Sequence, residues 1–150
     1  MSSLIDKECI IFDIDPKEKN AVIKQMVKKL KERNKIDDEE NFYNDVLDRE
    51  KLSPTAIGYD IGLPHGKSDS VIEPSICFGV LKNPVTWNEE TGEVAKIVVM
   101  IAVPKYQSGD LHIKILSKLA RKLMHEEFRN DLLNPDKEFI YNLLKDVLEG

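Results

Sequence analysis

Apolar and β-branched residues crowd positions 4–14, where Ile5, Cys9, Ile10, Ile11, Phe12 and Ile14 predict a strand. Asp15-Pro16 then reads as a helix cap followed by proline at the first helical position, with Glu18 at the capping-box site. Ala21, Val22, Ile23, Met26, Val27 and Leu30 recur at helical spacing and predict an amphipathic helix over 16–33. Its other face, with Lys17, Lys24, Lys28 and Lys31, reads as solvated surface. A second helix is expected from Asp37 or Asp38, where acidic residues suit the positive helix end. It turns Phe42, Tyr43, Val46 and Leu47 inward and stops around residues 50–52, before Ser53-Pro54. Gly58, Gly62, Pro64 and Gly66 then predict turns around a very short extended piece at 61–63.

Residues 74–82 and 95–103 read as two strands, joined through a turn region at 84–88 and an acidic hairpin-like stretch at 88–93. In the last third, Ser108 or Asp110 caps a helix carrying Leu111, Ile115, Leu116, Leu119, Leu123 and Met124. A turn is expected at 126–133, and Asn134-Pro135 caps a final helix through 148. Strands and helices interleave without strict βαβ alternation and without a linker or repeat. The expected fold is one α/β domain over 1–150, a mixed β-sheet flanked by helices.

Composition narrows the chemistry. A chain of 150 residues with 41% hydrophobic and 33% charged content is that of an ordinary globular domain. Its 22 Lys+Arg against 27 Asp+Glu give a net charge of −5, which argues against a partner bound by phosphate neutralisation, hence against nucleic acid. Cys9 and Cys77 lie far apart in apolar runs, as buried free thiols do, so a reducing cytoplasmic location is expected. The longest apolar run, 97–103, falls far short of the ~20 residues of a membrane span. The N-terminus lacks the basic-then-apolar order of a signal peptide.

The informative stretch is Ile61-Gly62-Leu63-Pro64-His65-Gly66-Lys67-Ser68. It imitates a P-loop but has three residues between the glycines where four are needed, and Pro64 has no N–H to offer a phosphate. The residue that matters is His65, on a cramped turn expected to be exposed, where a neutral imidazole can act as nucleophile. The plainer reading is a histidine that caps the turn through a backbone carbonyl. Arg49 ends the preceding helix, Thr55 offers a hydroxyl, and His112 follows Ser108-Gly109-Asp110 at a helix start that favours an anion. Such donors and positive charge suit a phosphoryl group moving to or from an imidazole. Each also has an ordinary reading: Arg49 pairs with a carboxylate, Thr55 caps a turn, His112 is a surface helix residue. Metal and serine-hydrolase readings fail for want of HExxH and GxSxG patterns. Met26, Met100 and Met124 read as core filler, and Trp87 as a partly buried loop aromatic.

Arg49-Glu50, Thr55, Ile57-Gly58 and the run from Ile61 to Gly66 resemble the active-site signature of fructose/mannitol-type enzyme IIA of the bacterial phosphoenolpyruvate-dependent sugar phosphotransferase system. The likeness extends to His112-Ile113-Lys114-Ile115-Leu116-Ser117-Lys118-Leu119-Ala120 and to the stretch from Glu126 to Leu133, covering nearly the whole chain. One departure is Gly62, where the family pattern usually carries Ala; the lost methyl bears on loop rigidity rather than chemistry. The resemblance implies a mixed sheet flanked by helices and a protein-histidine phosphotransferase. His65 takes phosphate from phospho-HPr and passes it to a cysteine of enzyme IIB, with Arg49, Thr55 and His112 stabilising the phosphoryl group. It implies no metal or nucleotide cofactor, the phosphoryl group coming from phosphoenolpyruvate through enzyme I and HPr. Membrane contact is only indirect, through enzyme IIC, and the sugar is not bound by this component. Ile57, Leu63 and Ile113 are expected to dock partner proteins. The alternative is a regulatory module, nitrogen-related or linked to a transcription regulator, in which the phosphorylation state of His65 controls partner binding.

Overall fold

The computed structural model describes residues 4–106 and 111–149, the side chain of His112 excepted. Strand β1 (Ile5–Ile14) leads into α1 (Lys19–Glu32) and α2 (Glu39–Leu52). Two short strands, β2 (Ile61–Gly62) and β3 (His65–Ser68), precede the long hairpin of β4 (Ser75–Asn88) and β5 (Glu93–Pro104). Helices α3 (Leu111–Leu123), α4 (Glu126–Asp131) and α5 (Lys137–Glu149) complete the fold. The strands form one mixed sheet in the order β1-β4-β5-β2, with β3 also on β5. β4 and β5 are antiparallel, the other pairings between these strands are parallel, and isolated antiparallel bridges join Ile36 to Val71 and Ala56 to Gly62. The expected α/β fold with a mixed sheet is therefore the observed one.

Alternation along β5 divides the interior between the two faces. Val98, Met100 and Ala102 join Val22, Met26, Phe42 and Val46 of α1 and α2 in one apolar cluster. Ile97, Val99, Ile101 and Val103 join Ile115, Leu119, Phe128, Ile140 and Leu144 of α3, α4 and α5 in the other. Cys9 and Cys77 are free and buried on the α1–α2 side. The contact with Cys9 and burial hold the Cys77 thiol well above its ordinary pKa, so it stays protonated and unreactive. No helix among the described residues is long and apolar enough to cross a membrane.

Several boundaries differ from the sequence pattern, each for a tertiary reason. Helix α1 begins at Lys19 rather than at Pro16, and Glu18 caps it without a side-chain bond. Val22 N–H bonds the Glu18 carbonyl at 3.0 Å, and the first helical residue, Lys19, reaches Glu50 and the Trp87 carbonyl. The segment 84–88 is not a turn: β4 continues through it after a bulge between Val80 and Val85, leaving residues 89–92 to turn the hairpin. Trp87 consequently sits in a strand, 1% exposed, and not in a loop. The stretch at 126–133 contains α4, whose Phe128 is buried, and α5 starts at Lys137 with the Asp136 carboxylate accepting from the Glu138 and Phe139 amides. The expected cap at Ser108 or Asp110 lies outside the described residues.

Candidate functional site

His65 opens β3 instead of riding on a free turn. β2 and β3 pair with β5 in one register, Gly62 beside Val98 and His65 beside Ile101, so they are two halves of a single edge strand interrupted at Leu63 and Pro64. The Pro64 carbonyl accepts from Ile101 N–H at 3.0 Å, which keeps the interrupted stretch against the sheet. Parallel neighbours share a face, so His65 and Lys67 lie on the side of Ile101 and Val103, while Gly66 lies on the side of Ala102. A side chain at Gly66 would meet Phe42 at 3.0 Å and Val46 at 3.1 Å. This close approach packs the Phe42–Val46 stretch of α2 against β3.

The result is an open cleft of about 430 Å³ lined by Asp45, Asp48, Arg49, Leu52, His65, Gly66, Lys67 and Val103. Arg49 and His65, chosen from the sequence, thus line the same cleft, and the Arg49 guanidinium donates to the Ser53 carbonyl at 3.0 Å. His112 occupies the first turn of α3, and its side chain lies outside the described residues. Thr55 is not among the residues lining the cleft; it is buried, and its hydroxyl donates to Glu50. Lys67, Asp45 and Asp48 were missed in the sequence. Lys67 stands two positions after His65 and shares its face only once the segment is recognised as a strand. Asp45 and Asp48 stand four and one positions before Arg49 on α2, so the end of that helix carried the signal.

His65 Nδ1 lies 3.0 Å from the Leu63 carbonyl oxygen. A carbonyl only accepts, so Nδ1 carries a proton, and in the neutral ring Nε2, on the far side, carries the lone pair. The bond to a carbonyl expected of a merely structural histidine is present, but it also prepares the other nitrogen as a nucleophile. No group of three or more His, Cys, Asp or Glu side chains is placed to hold a metal ion among the described residues.

The loop before this strand is held hard. Tyr59 and Asp60 take consecutive left-handed conformations, φ 56° and 61°, and the Asp60 carbonyl accepts from the Lys96 and Ile97 amides. At Gly62 a methyl group would lie 2.6 Å from the Trp87 indole, so this position has no room for Ala. The departure at Gly62 is therefore fitted to Trp87, beyond any change in loop rigidity. Of the three residues expected to dock partners, Ile57 and Ile113 are exposed, but Leu63 is 3% exposed and belongs to the core on the α3–α5 side.

A family model described as "Phosphoenolpyruvate-dependent sugar phosphotransferase system, EIIA 2" matches residues 3–147. The chain is 38% identical over 138 residues to the fructose-specific EIIABC component of Bacillus subtilis, covering 92% of this chain but only 22% of that protein. It is 31% identical over 150 residues to the fructose-specific EIIA component of Haloferax volcanii, covering 99% of this chain and 97% of that one. The chain thus spans about a fifth of one relative and nearly all of the other. Among solved structures, the complex of enzyme IIAMTL with phosphorylated enzyme IIBMTL from Escherichia coli matches with a TM-score of 0.79 at 25% identity, over 94% of this chain and 98% of that one. The nitrogen regulatory protein IIA-Ntr of Neisseria meningitidis shares the fold, with a TM-score of 0.84 at 24% identity over 94% and 96% of the two chains.

Proposed function

Since the chain belongs to the EIIA 2 family of the phosphoenolpyruvate-dependent sugar phosphotransferase system, we propose that it is a phosphocarrier working through His65. Phospho-HPr, charged from phosphoenolpyruvate through enzyme I, donates the phosphoryl group, and a cysteine of enzyme IIB receives it. The observation that carries this reading is the bond from His65 Nδ1–H to the Leu63 carbonyl, in a ring that lines the same cleft as Arg49.

The Nε2 lone pair attacks phosphorus in line as the bond from phosphorus to the donor imidazole breaks. The donor ring leaves with that electron pair. Positive charge grows on the His65 ring, and the Leu63 carbonyl stabilises it at Nδ1–H, so no proton need leave during the transfer. In the second step a thiolate forms the S–P bond, the N–P bond breaks, and the lone pair returns to Nε2. Arg49 offers a planar donor set to the equatorial oxygens, and Lys67 adds a second positive charge to the cleft. His112 assists from the start of α3. The chemistry needs neither metal nor nucleotide. The complex of a related IIA with phosphorylated IIB supports the acceptor class. The sugar-specific relatives favour transport over the regulatory alternative. Cytoplasmic work, with the membrane reached only through enzyme IIC, follows from the same reading.

Intact mass after incubation with phosphoenolpyruvate, enzyme I and HPr tests the proposal. One acid-labile phosphoryl group that requires HPr and vanishes in His65→Ala is expected, with Arg49→Ala slowed by about 10²–10³-fold. Well-folded wild-type protein that stays unmodified, or a His65→Ala variant that still gains the group, overturns it.

A further inference from the structure

Behind the cleft lies a closed ring of polar contacts that the phosphoryl relay does not itself touch. Glu50, 7% exposed, holds the Lys19 ammonium at 2.5 Å on Oε1. The same oxygen accepts the Thr55 amide at 3.1 Å, and Oε2 accepts the Thr55 hydroxyl. Thr55 Oγ1 in turn accepts the Trp87 indole N–H at 3.3 Å. The Trp87 carbonyl closes the ring by accepting from Lys19 Nζ at 2.8 Å, with the ammonium 5.2 Å from the indole centre. The ring ties the first residue of α1, the last turn of α2, the loop before β2 and the far end of β4.

From Thr55 the connection runs on through backbone alone. The Thr55 carbonyl accepts from Leu63 N–H at 2.9 Å, and the Leu63 carbonyl accepts from His65 Nδ1 at 3.0 Å. Leu63 sits where the edge strand is interrupted, so Thr55, and not the β5 ladder, takes up its amide. The amide belongs to the peptide plane before Leu63 and the carbonyl to the plane after it. The two are joined by the φ and ψ of Leu63, which the following proline narrows, so fixing the amide constrains the aim of the carbonyl.

We infer that Glu50, acting through Thr55 and Leu63, is the positioning residue that sets the tautomer of His65. The inference rests on His65 as the phosphoryl acceptor. With Glu50 in place, Thr55 is held from its amide and its hydroxyl together, and the proton stays on Nδ1. Without it the Leu63 carbonyl loses its fixed aim, and the proton exchanges between the two ring nitrogens. A ring protonated on Nε2 presents its lone pair to its own backbone and cannot attack. Trp87 braces the same hydroxyl from the opposite side, and Lys19 neutralises the carboxylate that the arrangement buries.

The test is nitrogen-15 NMR of the imidazole ring together with HPr-dependent phosphorylation kinetics, on wild type, Glu50→Gln, Thr55→Val and Thr55→Ser. Wild type and Thr55→Ser should show the Nδ1–H form. Glu50→Gln and Thr55→Val should show mixed tautomers and a maximal rate lower by about tenfold, with the KM for HPr unchanged, as when a histidine loses its orienting partner. Where either variant fails to fold by circular dichroism, Glu50→Asp carries the same test, since it keeps the charge that pairs with Lys19 and draws the carboxylate back from Thr55. Folded variants that hold the Nδ1–H form and wild-type rates overturn the inference. The tautomer is read without any phosphate present. Failure of wild type to accept phosphate therefore removes the phosphocarrier reading alone, and an unresponsive tautomer removes this one alone.

Discussion

On the α3–α5 side of the sheet, Ile140, Leu144 and Leu148 join Ile5, Ile10, Ile76 and Phe78 in a cluster built of apolar side chains. The opposite side is different. There the apolar cluster of α1 and α2 ends in Glu50 and Thr55, both buried, and none of the buried polar residues among the described ones belongs to α3, α4 or α5. The first side has only to match shapes, because its backbone bonds are already made within helices and strands. The second must hold a loop whose backbone leaves the ladder between β2 and β3, and apolar contact has no direction to offer there. Hydrogen bonds do, and a buried donor or acceptor left without a partner costs about 1–3 kcal/mol, which makes the held geometry the preferred one. The comparison separates a face that supplies stability from a face that supplies orientation.

Substitutions break or sharpen that division, the largest on the apolar side. Leu144→Ala should cost about 2–5 kcal/mol in urea denaturation, through the cavity it leaves. Phosphoryl acceptance per folded molecule should stay at the wild-type level; a slowed transfer would mean the apolar side also orients the site. Gly62→Ala should cost about 1–3 kcal/mol, since a methyl 2.6 Å from the Trp87 indole forces the ring aside. The chain has one tryptophan, so its emission should move to the red as the indole leaves its buried place. Unchanged stability and emission would show that the backbone absorbs the methyl.

The smallest effect belongs to the half-buried polar cluster at the other end of α1. Burial alone would raise the Asp6 carboxyl. The hydrogen bonds from Arg33 and the Glu8 amide, with the charges of Arg33 and Lys35, outweigh it and hold the group below its ordinary value of 3.8. A depressed folded pKa adds stability that is present above the ordinary carboxylate value and is lost as pH falls through the lower folded one. Wild type should therefore exceed Asp6→Asn by less than about 1 kcal/mol near neutral pH, the margin closing as the solution is acidified below that value. Thermal melts across that range measure it, and a margin that widens in acid would reverse the sign.

Long periodic segments were legible in the sequence because their burial repeats locally. β1, α2, α3 and the apolar parts of β4 and β5 fall where the pattern puts them. What escaped was decided by distant chain. β3 is a strand only because β5 pairs with it, and the start of α1 follows the reach of Lys19 to Glu50 and Trp87. Position 87 looked like a loop since Pro84 and a bulge interrupt the alternation before it. At the site, His65 and Arg49 were legible as chemistry, and the cleft unites them. Thr55 was legible as a hydroxyl near them, but not the direction in which it donates. Its bonding with Trp87 spans 32 positions, and no local pattern encodes that.

The gap at Leu63 and Pro64 also bears on how the protein keeps company with itself. An outer strand offers unpaired backbone groups to any other sheet that meets it, and long, regular edges are where chains stack irreversibly. Here the outer strand is cut into pieces of two and four residues, separated by a proline with no N–H to give and a leucine whose amide is already taken by Thr55. The interruption that aims His65 thus also denies a foreign strand an unbroken template, so the edge nearest the site resists self-association at high concentration.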